Sequence, residues 1–255
     1  MQDLKKESGL SVVLKDDFKL DLDISLLGGE FSSRTIRDME KVLKDKIIIN
    51  DDSLYYMYRD VRERVDEEKI KANKLRYDLT VILPRMIGRE FNKTYGHYHP
   101  SSYPEVYEVI SGRALYLLQK QGKNDDEIDE AFLIEVNAGE KTIIPPNFGH
   151  ITINPLFKPL VMSNWVCNDF NSEYESFESH QGGSFYVFKS KIIKNSHYKK
   201  LPKLIRARPK ELPQFGLKFG KPMYTALVQN IKALKYLSHP EIFSKEISPE
   251  KVFKI

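Results

Sequence analysis

Between Thr94 and Gly112 the chain reads Thr-Tyr-Gly-His-Tyr-His-Pro-Ser-Ser-Tyr-Pro-Glu-Val-Tyr-Glu-Val-Ile-Ser-Gly. This run constrains the fold more than any other. His97 and His99 are two apart, so on an extended backbone both imidazoles face the same side. Pro100 to Pro104 break the strand and form a turn. Glu-Val-Tyr-Glu-Val-Ile then alternates as a strand does, with Glu105, Tyr107 and Val109 on one face and Glu108 on the other. Glu108 is therefore expected to point away from the imidazoles, as a structural or surface residue. Gly112 ends the strand in a tight turn.

A second run, Gly139 to Asn154, carries Pro145, Pro146 and His150. Three imidazoles and one carboxylate, His97, His99, His150 and Glu105, make a mixed nitrogen and oxygen donor set. Such a set suits Fe(II), Mn(II), Ni(II), Co(II) or Zn(II). Four protein ligands leave open positions only at higher coordination, which favours a six-coordinate ion such as Fe(II) or Mn(II) over tetrahedral Zn(II) for catalysis.

Short runs of strand character surround these motifs. Ser53 to Arg59, Leu75 to Pro84, Ala114 to Gln119, Phe132 to Val136, Thr142 to Pro145, Ile151 to Asn154 and Leu160 to Val166 are expected strands. Their Gly and Pro turns predict a mainly β barrel or sandwich. Thr35 with Asp38 three residues on marks a helix start, giving a helix over about Thr35 to Lys44. Residues 60–74 are charge-rich and read as a solvated loop or hairpin. The acidic stretch Asn124 to Glu130 reads as a solvated hairpin loop, and the basic stretch Lys189 to Lys210 as a solvated strand and linker. Tyr224, Leu227, Ile231, Leu234 and Leu237 share one helical face, and Pro240 stops that run. A helix over about Met223 to Leu237 must bury its stripe on the barrel or on a partner subunit.

With 255 residues the chain can form one large domain with an appendage. Its net charge of +4 predicts no nucleic acid partner. Cys167 is the sole cysteine, so there is no internal disulfide, as in a reducing cytoplasm. No apolar run is long enough for a membrane span, and the N-terminal residues lack the apolar core of a signal peptide.

The paired motifs resemble those of the cupin superfamily: Gly, His-x-His, a short spacer, Glu and Gly in the first; Gly, Pro, His and Asn in the second. Within it, Thr-Tyr-Gly-His-Tyr-His, Glu-Val-Tyr-Glu-Val and Ile-Pro-Pro-Asn-Phe-Gly-His-Ile-Thr-Ile-Asn are similar to the cupin-type glucose-6-phosphate isomerases of archaea and some bacteria. Tyr55 to Tyr58 and Leu79 to Pro84 add upstream agreement, so the resemblance spans roughly residues 30 to 200. It implies a cupin double-stranded β-helix, a jelly-roll barrel with peripheral helices and a C-terminal helical tail. We divide the chain into an N-terminal arm (1–34), the barrel (35–200) and a C-terminal extension (201–255).

The resemblance also implies a glycolytic and gluconeogenic enzyme that interconverts glucose 6-phosphate and fructose 6-phosphate. It implies a cytoplasmic homodimer with one divalent metal per chain, often iron. His97, His99, Glu105 and His150 match the family's metal ligands. Tyr55, Thr80, Thr94 and Gly96 match positions that bind the sugar phosphate. Three departures stand out. The His99–Glu105 spacer is one residue shorter than in archaeal members, Val166 stands where some members carry a tyrosine (Tyr174 lies nearby), and the tail after Pro209 has no counterpart in the shortest members.

Aldose–ketose isomerisation moves hydrogen between C1 and C2. An enediol route needs a base, for which Glu105 is the candidate, and Tyr107 on the same face can donate to a sugar oxygen. A hydride shift needs no base. Competing functions are another metal-dependent cupin enzyme, a dioxygenase or a sugar epimerase, or a non-catalytic sugar-binding cupin. His180, His197 and His239 lie in unrelated segments and receive no role.

Overall fold

The computed structural model describes residues 1–45, 49–243 and 245–255. Two antiparallel-based sheets face each other. Their strands, in chain order, are β1 (Glu30–Thr35), β2 (Ser53–Arg59), β3 (Leu75–Ile82), β4 (Glu105–Ser111), β5 (Arg113–Gln121), β6 (Ile128–Asn137), β7 (Lys141–Ile144), β8 (Phe148–Ile153), β9 (Leu160–Cys167), β10 (Leu204–Pro209) and β11 (Phe253–Lys254). One sheet runs β7-β4-β9-β3-β2-β1 and the other β8-β5-β6-β10-β11. The chain is mainly β, and its two large sheets make the barrel architecture expected from the sequence. The strand that edges the larger sheet begins at Glu30, inside the stretch read from sequence as the arm. A separate small sheet precedes it, pairing Gln2–Asp3, Val12–Leu14 and Leu20–Leu22.

The register of the larger sheet sets the site. Paired residues share a face. Tyr107 pairs with Asn164 and Asn164 with Asp78, forming one row; Glu105, Val166 and Arg76 form the next. Met162, Thr80 and Met57 lie in a third row. At the far edge Tyr55 pairs with Arg34. All these side chains point into the barrel.

The opposite face of this sheet is covered by the chain's own tail. Tyr77 and Trp165 pair across β3 and β9 with ring centroids 4.9 Å apart, and Tyr224 of the tail packs on both, at 5.1 and 5.8 Å. The tail helix expected over Met223 to Leu237 is broken. It forms α-helix Met223–Val228, a 3-10 turn Ile231–Leu234 and α-helix Lys235–Ser238. Asn230 leaves helical geometry (φ −127°, ψ 57°), and asparagine competes poorly as a helix interior residue. The break lets Tyr224, Leu227, Leu234 and Leu237 all bury on the barrel, while Ile231 stays half-buried.

Two other readings need correction. Residues 60–74 are not a solvated loop: they hold a 3-10 turn at Arg64–Asp66 and the α-helix Glu67–Ala72, with Ile70 buried. Its charges pair locally, Glu67 with Lys71 at 2.6 Å, and acidic residues in the first turn and lysines in the last suit the helix dipole. The Thr35 helix is shorter than expected, an α-turn over Ile36–Met39 followed by a 3-10 turn to Val42, though Thr35 and Asp38 cap each other as anticipated. The acidic loop around Asp126–Asp129 meets Lys199 and Lys200, so two segments that each read as solvated charge neutralise one another. No helix among the described residues is long and apolar enough to cross a membrane.

Candidate active site

The segment before β4 runs beside β8, so His97 and His150 pair as backbone neighbours: His97 N–H donates to the His150 carbonyl at 3.3 Å and receives the reverse bond at 3.0 Å. The close approach depends on glycines. Gly96 has φ +91°, and a Cβ there would lie 2.7 Å from Ile151 Cγ1 and 2.8 Å from Phe177 Cδ1. A Cβ at Gly149 would fall 2.5 Å from the Tyr98 ring.

His97, His99, Glu105 and His150 converge, with one donor atom from each within 4.8 Å of all the others. His97 Nε2 lies 3.0 Å from His99 Nε2, and Glu105 Oε2 lies 3.5 Å from His99 Nε2 and 3.2 Å from His150 Nε2. His99 Nδ1–H donates to the Tyr103 carbonyl at 3.0 Å, which fixes the tautomer and turns the Nε2 lone pair toward the cluster. Burial, reinforced by the His150 and His99 rings, holds His97 well below the ordinary imidazole range. Burial likewise brings His99 down to about 4, against the opposing pull of Glu105. For Glu105, burial pushes upward, but the surrounding His150, His99 and Tyr107 outweigh it and the carboxyl sits below its usual value.

The result is that His97 and His99 are held neutral and Glu105 ionised, with their ring nitrogens and carboxylate oxygen, together with the His150 ring, facing each other at hydrogen-bond distance. Glu105 Oε2 is buried with no hydrogen-bond partner. A buried, orphaned carboxylate oxygen is costly unless a cation meets it. The donor set and this orphan fit a divalent ion.

Tyr107 places its hydroxyl 3.2 Å from His150 Nε2. Glu105, Tyr107, His97 and His99 line a cavity of about 350 Å³, with His150 buried behind them. Tyr55, Thr80, Thr94 and Gly96 line the same cavity, so every position singled out from sequence lies at or next to one space. Two of their hydroxyls already accept a backbone amide, Tyr55 from Tyr95 N–H at 3.3 Å and Thr94 from Thr152 N–H at 2.9 Å. Their own protons are left to donate to a ligand. Val166 and Tyr174 line the cavity too.

Sequence reasoning missed Arg34, Arg59, Arg76, Asp78 and Asn164, all of which line the cavity. A signal existed. Arg76 and Asp78 alternate with Thr80, and Arg59 with Tyr55, so the period that faces Thr80 and Tyr55 inward faces these inward as well. His180 stacks on Tyr198, ring centroids 4.3 Å apart, and His239 faces Glu241 at the surface.

The sequence profile of the family described as "Glucose-6-phosphate isomerase (GPI)" matches residues 33–203. The chain belongs to the glucose-6-phosphate isomerase family. The glucose-6-phosphate isomerase of Thermococcus litoralis is 30% identical over 164 residues, covering 61% of this chain and 80% of that one. The Pyrococcus furiosus enzyme is 26% identical over 194 residues, covering 71% and 96%. Among solved structures, oxalate oxidase with glycolate overlaps 39% of this chain and 42% of its own at 19% identity and a TM-score of 0.30, too partial a match to carry an argument. The isomerase-family match begins beside Arg34 and contains His97, His99, Glu105 and His150. It ends before β10, so β10, β11 and the helices that cover Tyr77 and Trp165 lie outside it.

Proposed function

We propose that this protein interconverts glucose 6-phosphate and fructose 6-phosphate, with one divalent ion held by His97, His99, Glu105 and His150. The observation that carries the reading is the orphaned Glu105 carboxylate oxygen among three imidazoles, opening on a cavity that also presents Tyr55, Thr94 and Arg34. The ion would supply Lewis-acid polarisation of the sugar oxygens. Fe(II) is the ion we expect, with Mn(II), Ni(II), Co(II) and Zn(II) as alternatives, in a cytoplasmic homodimer.

The chain's own groups divide the remaining work. The hydroxyls of Tyr55, Thr80 and Thr94 and the Gly96 N–H donate to the phosphate. Arg34 adds the charge: its guanidinium lies over the Tyr95 ring at 5.8 Å and acts on the Tyr55 hydroxyl, which burial pushes up to about 12. Charge-assisted bonds to a phosphate are roughly twice as strong as neutral ones. Glu105 takes the proton from C2 and returns it to C1, and its depressed value keeps it ionised to do so. Tyr107, whose phenol stays protonated because burial raises it, donates to a sugar oxygen as charge develops there.

A coupled assay on fructose 6-phosphate, run with and without a chelator and paired with elemental analysis, tests this. We expect turnover that the chelator abolishes, and His97→Ala and His150→Ala proteins that carry no metal. Full metal retention in both variants would remove the ligand assignment. Absence of turnover on either hexose phosphate would remove the isomerase reading and promote another metal-dependent cupin enzyme.

A further inference from the structure

The cavity wall carries a charged cluster to which the isomerase reading gives no task. Arg59 ends β2 and Arg76 lies near the start of β3, with Asp78 between them. Arg59 Nη1 donates to Asp78 Oδ2 at 3.3 Å, and Arg76 Nε donates to both carboxylate oxygens at 3.0 and 2.9 Å. Asp60 N–H adds a fourth bond, to Oδ1 at 2.9 Å. Asp78 is buried, at 5% exposure, whereas the Arg59 and Arg76 side chains keep 38% and 24% of theirs. The trio has a net charge of +1.

The donors are not used up. Arg59 otherwise reaches only the Met57 sulfur at 3.6 Å, and Arg76 only Asn168 Oδ1 at 3.2 Å, among the described residues. A guanidinium has five N–H donors, so several remain on each. Two like charges repel, and a brace between β2 and β3 needs only one arginine. Here one buried carboxylate fixes both at the cavity, with N–H groups to spare.

The cluster lies away from the proposed phosphate end. Arg59 is four residues beyond Tyr55 on the same face of β2, about 13 Å along a strand. Arg76 shares a row with Glu105 through Val166, and Asp78 a row with Tyr107 through Asn164. Cationic groups therefore stand at both ends: Arg34 beside Tyr55, Arg59 and Arg76 beside the metal ligands.

We propose that Arg59 and Arg76 form a second anion subsite that lets the cavity hold a hexose bisphosphate. One phosphate lies at Arg34, Tyr55 and Thr94, a placement that rests on the reading above, and the other on the free N–H groups of Arg59 and Arg76. A ligand esterified at C1 has no C1 hydroxyl to convert to a carbonyl. It is held without turnover and competes with the hexose monophosphate.

The test uses fructose 1,6-bisphosphate as inhibitor and fructose 6-phosphate as substrate, on the full metal-loaded chain. Wild type is expected to show competitive inhibition. Arg59→Gln and Arg76→Gln should each raise the inhibition constant about tenfold or more, the effect of one charged hydrogen bond, while KM for fructose 6-phosphate moves less than about threefold. Arg34→Gln should raise both. An uninhibited wild type, an unchanged inhibition constant in the Arg59 and Arg76 variants, or equal loss of substrate and bisphosphate would overturn the proposal. Should a glutamine variant not fold, Arg59→Lys and Arg76→Lys keep the charge and lose the fork; they should show a smaller rise in the same constant, and no rise counts against the subsite. Calorimetric titration with the bisphosphate separates the two readings. Binding that Arg59→Gln weakens, in a protein without isomerase turnover, keeps the subsite and removes only the isomerase.

Discussion

Glu105 and Glu108 are three residues apart on β4, and both are buried, at 3% and 1% exposure. They face opposite ways and behave oppositely. Glu105 stands among three imidazoles with one oxygen unpaired, and its carboxyl is held below the ordinary value. Glu108 spends both oxygens: Oε1 accepts from Lys141 Nζ at 2.7 Å and Oε2 from Met223 N–H of the tail at 2.7 Å. Burial nonetheless pushes Glu108 up to about 7, against the pull of Lys141. Burial alone does not tell the two carboxylates apart. The unspent acceptor does: both oxygens of Glu108 are bonded inside the fold, and Oε2 of Glu105 is not.

That comparison can be broken from either side. The largest effect should come from removing the tail that covers the Glu108 face. Burying Tyr224, Leu227, Leu234 and Leu237 is worth roughly 1.5–3 kcal/mol each, about as much in sum as the whole stability of an ordinary domain. A chain ending at Pro209 should fail to fold cooperatively in a thermal melt. An unchanged melting temperature would mean that the tail is a passenger.

Glu105→Gln should separate function from stability. Glutamine still offers a carbonyl oxygen but cannot take the C2 proton. The value of kcat for fructose 6-phosphate should fall about 10²–10⁴-fold with a smaller change in KM, at full metal occupancy, and the melting temperature should hold or rise. Near wild-type turnover at full occupancy would remove Glu105 as the base and leave the hydride shift.

Glu108→Gln should give the reverse pattern. It leaves Lys141 buried and uncompensated, which typically costs about 3–5 kcal/mol, read as a lower denaturation midpoint with kcat nearly unchanged in the folded fraction. The double replacement Glu108→Leu with Lys141→Met sharpens this, because removing both charges together is often neutral or stabilising. A double variant as unstable as the single one would show that the bond to Met223 N–H, rather than the ion pair, is what β4 needs.

The convergence of three histidines and Glu105 was legible because its information is local. His97, His99 and Glu105 sit within nine residues, strand alternation fixes their common face, and Gly112 and Pro145 mark the turns around them. His150 followed from a second local motif. The same alternation correctly turned Glu108 away from the histidine cluster, but it left open whether solvent or protein lay on that side. Only packing answered that, because what covers a face is set by the path of residues 210–255, more than a hundred positions downstream. Arg59, Arg76 and Asp78 carried a local signal too, alternating with Tyr55 and Thr80, but that they and Arg34 make one wall is decided only when β1, β2, β3, β9 and β4 pair in register. The tail helix misled for the converse reason: its apolar spacing is regular, yet the chain leaves helical geometry at Asn230 and buries the stripe in two pieces. Alone, then, the sequence determined which donor atoms exist and which face of a strand they share. Tertiary structure decided what those faces meet, because burial and strand register are set by contacts between residues far apart in the chain.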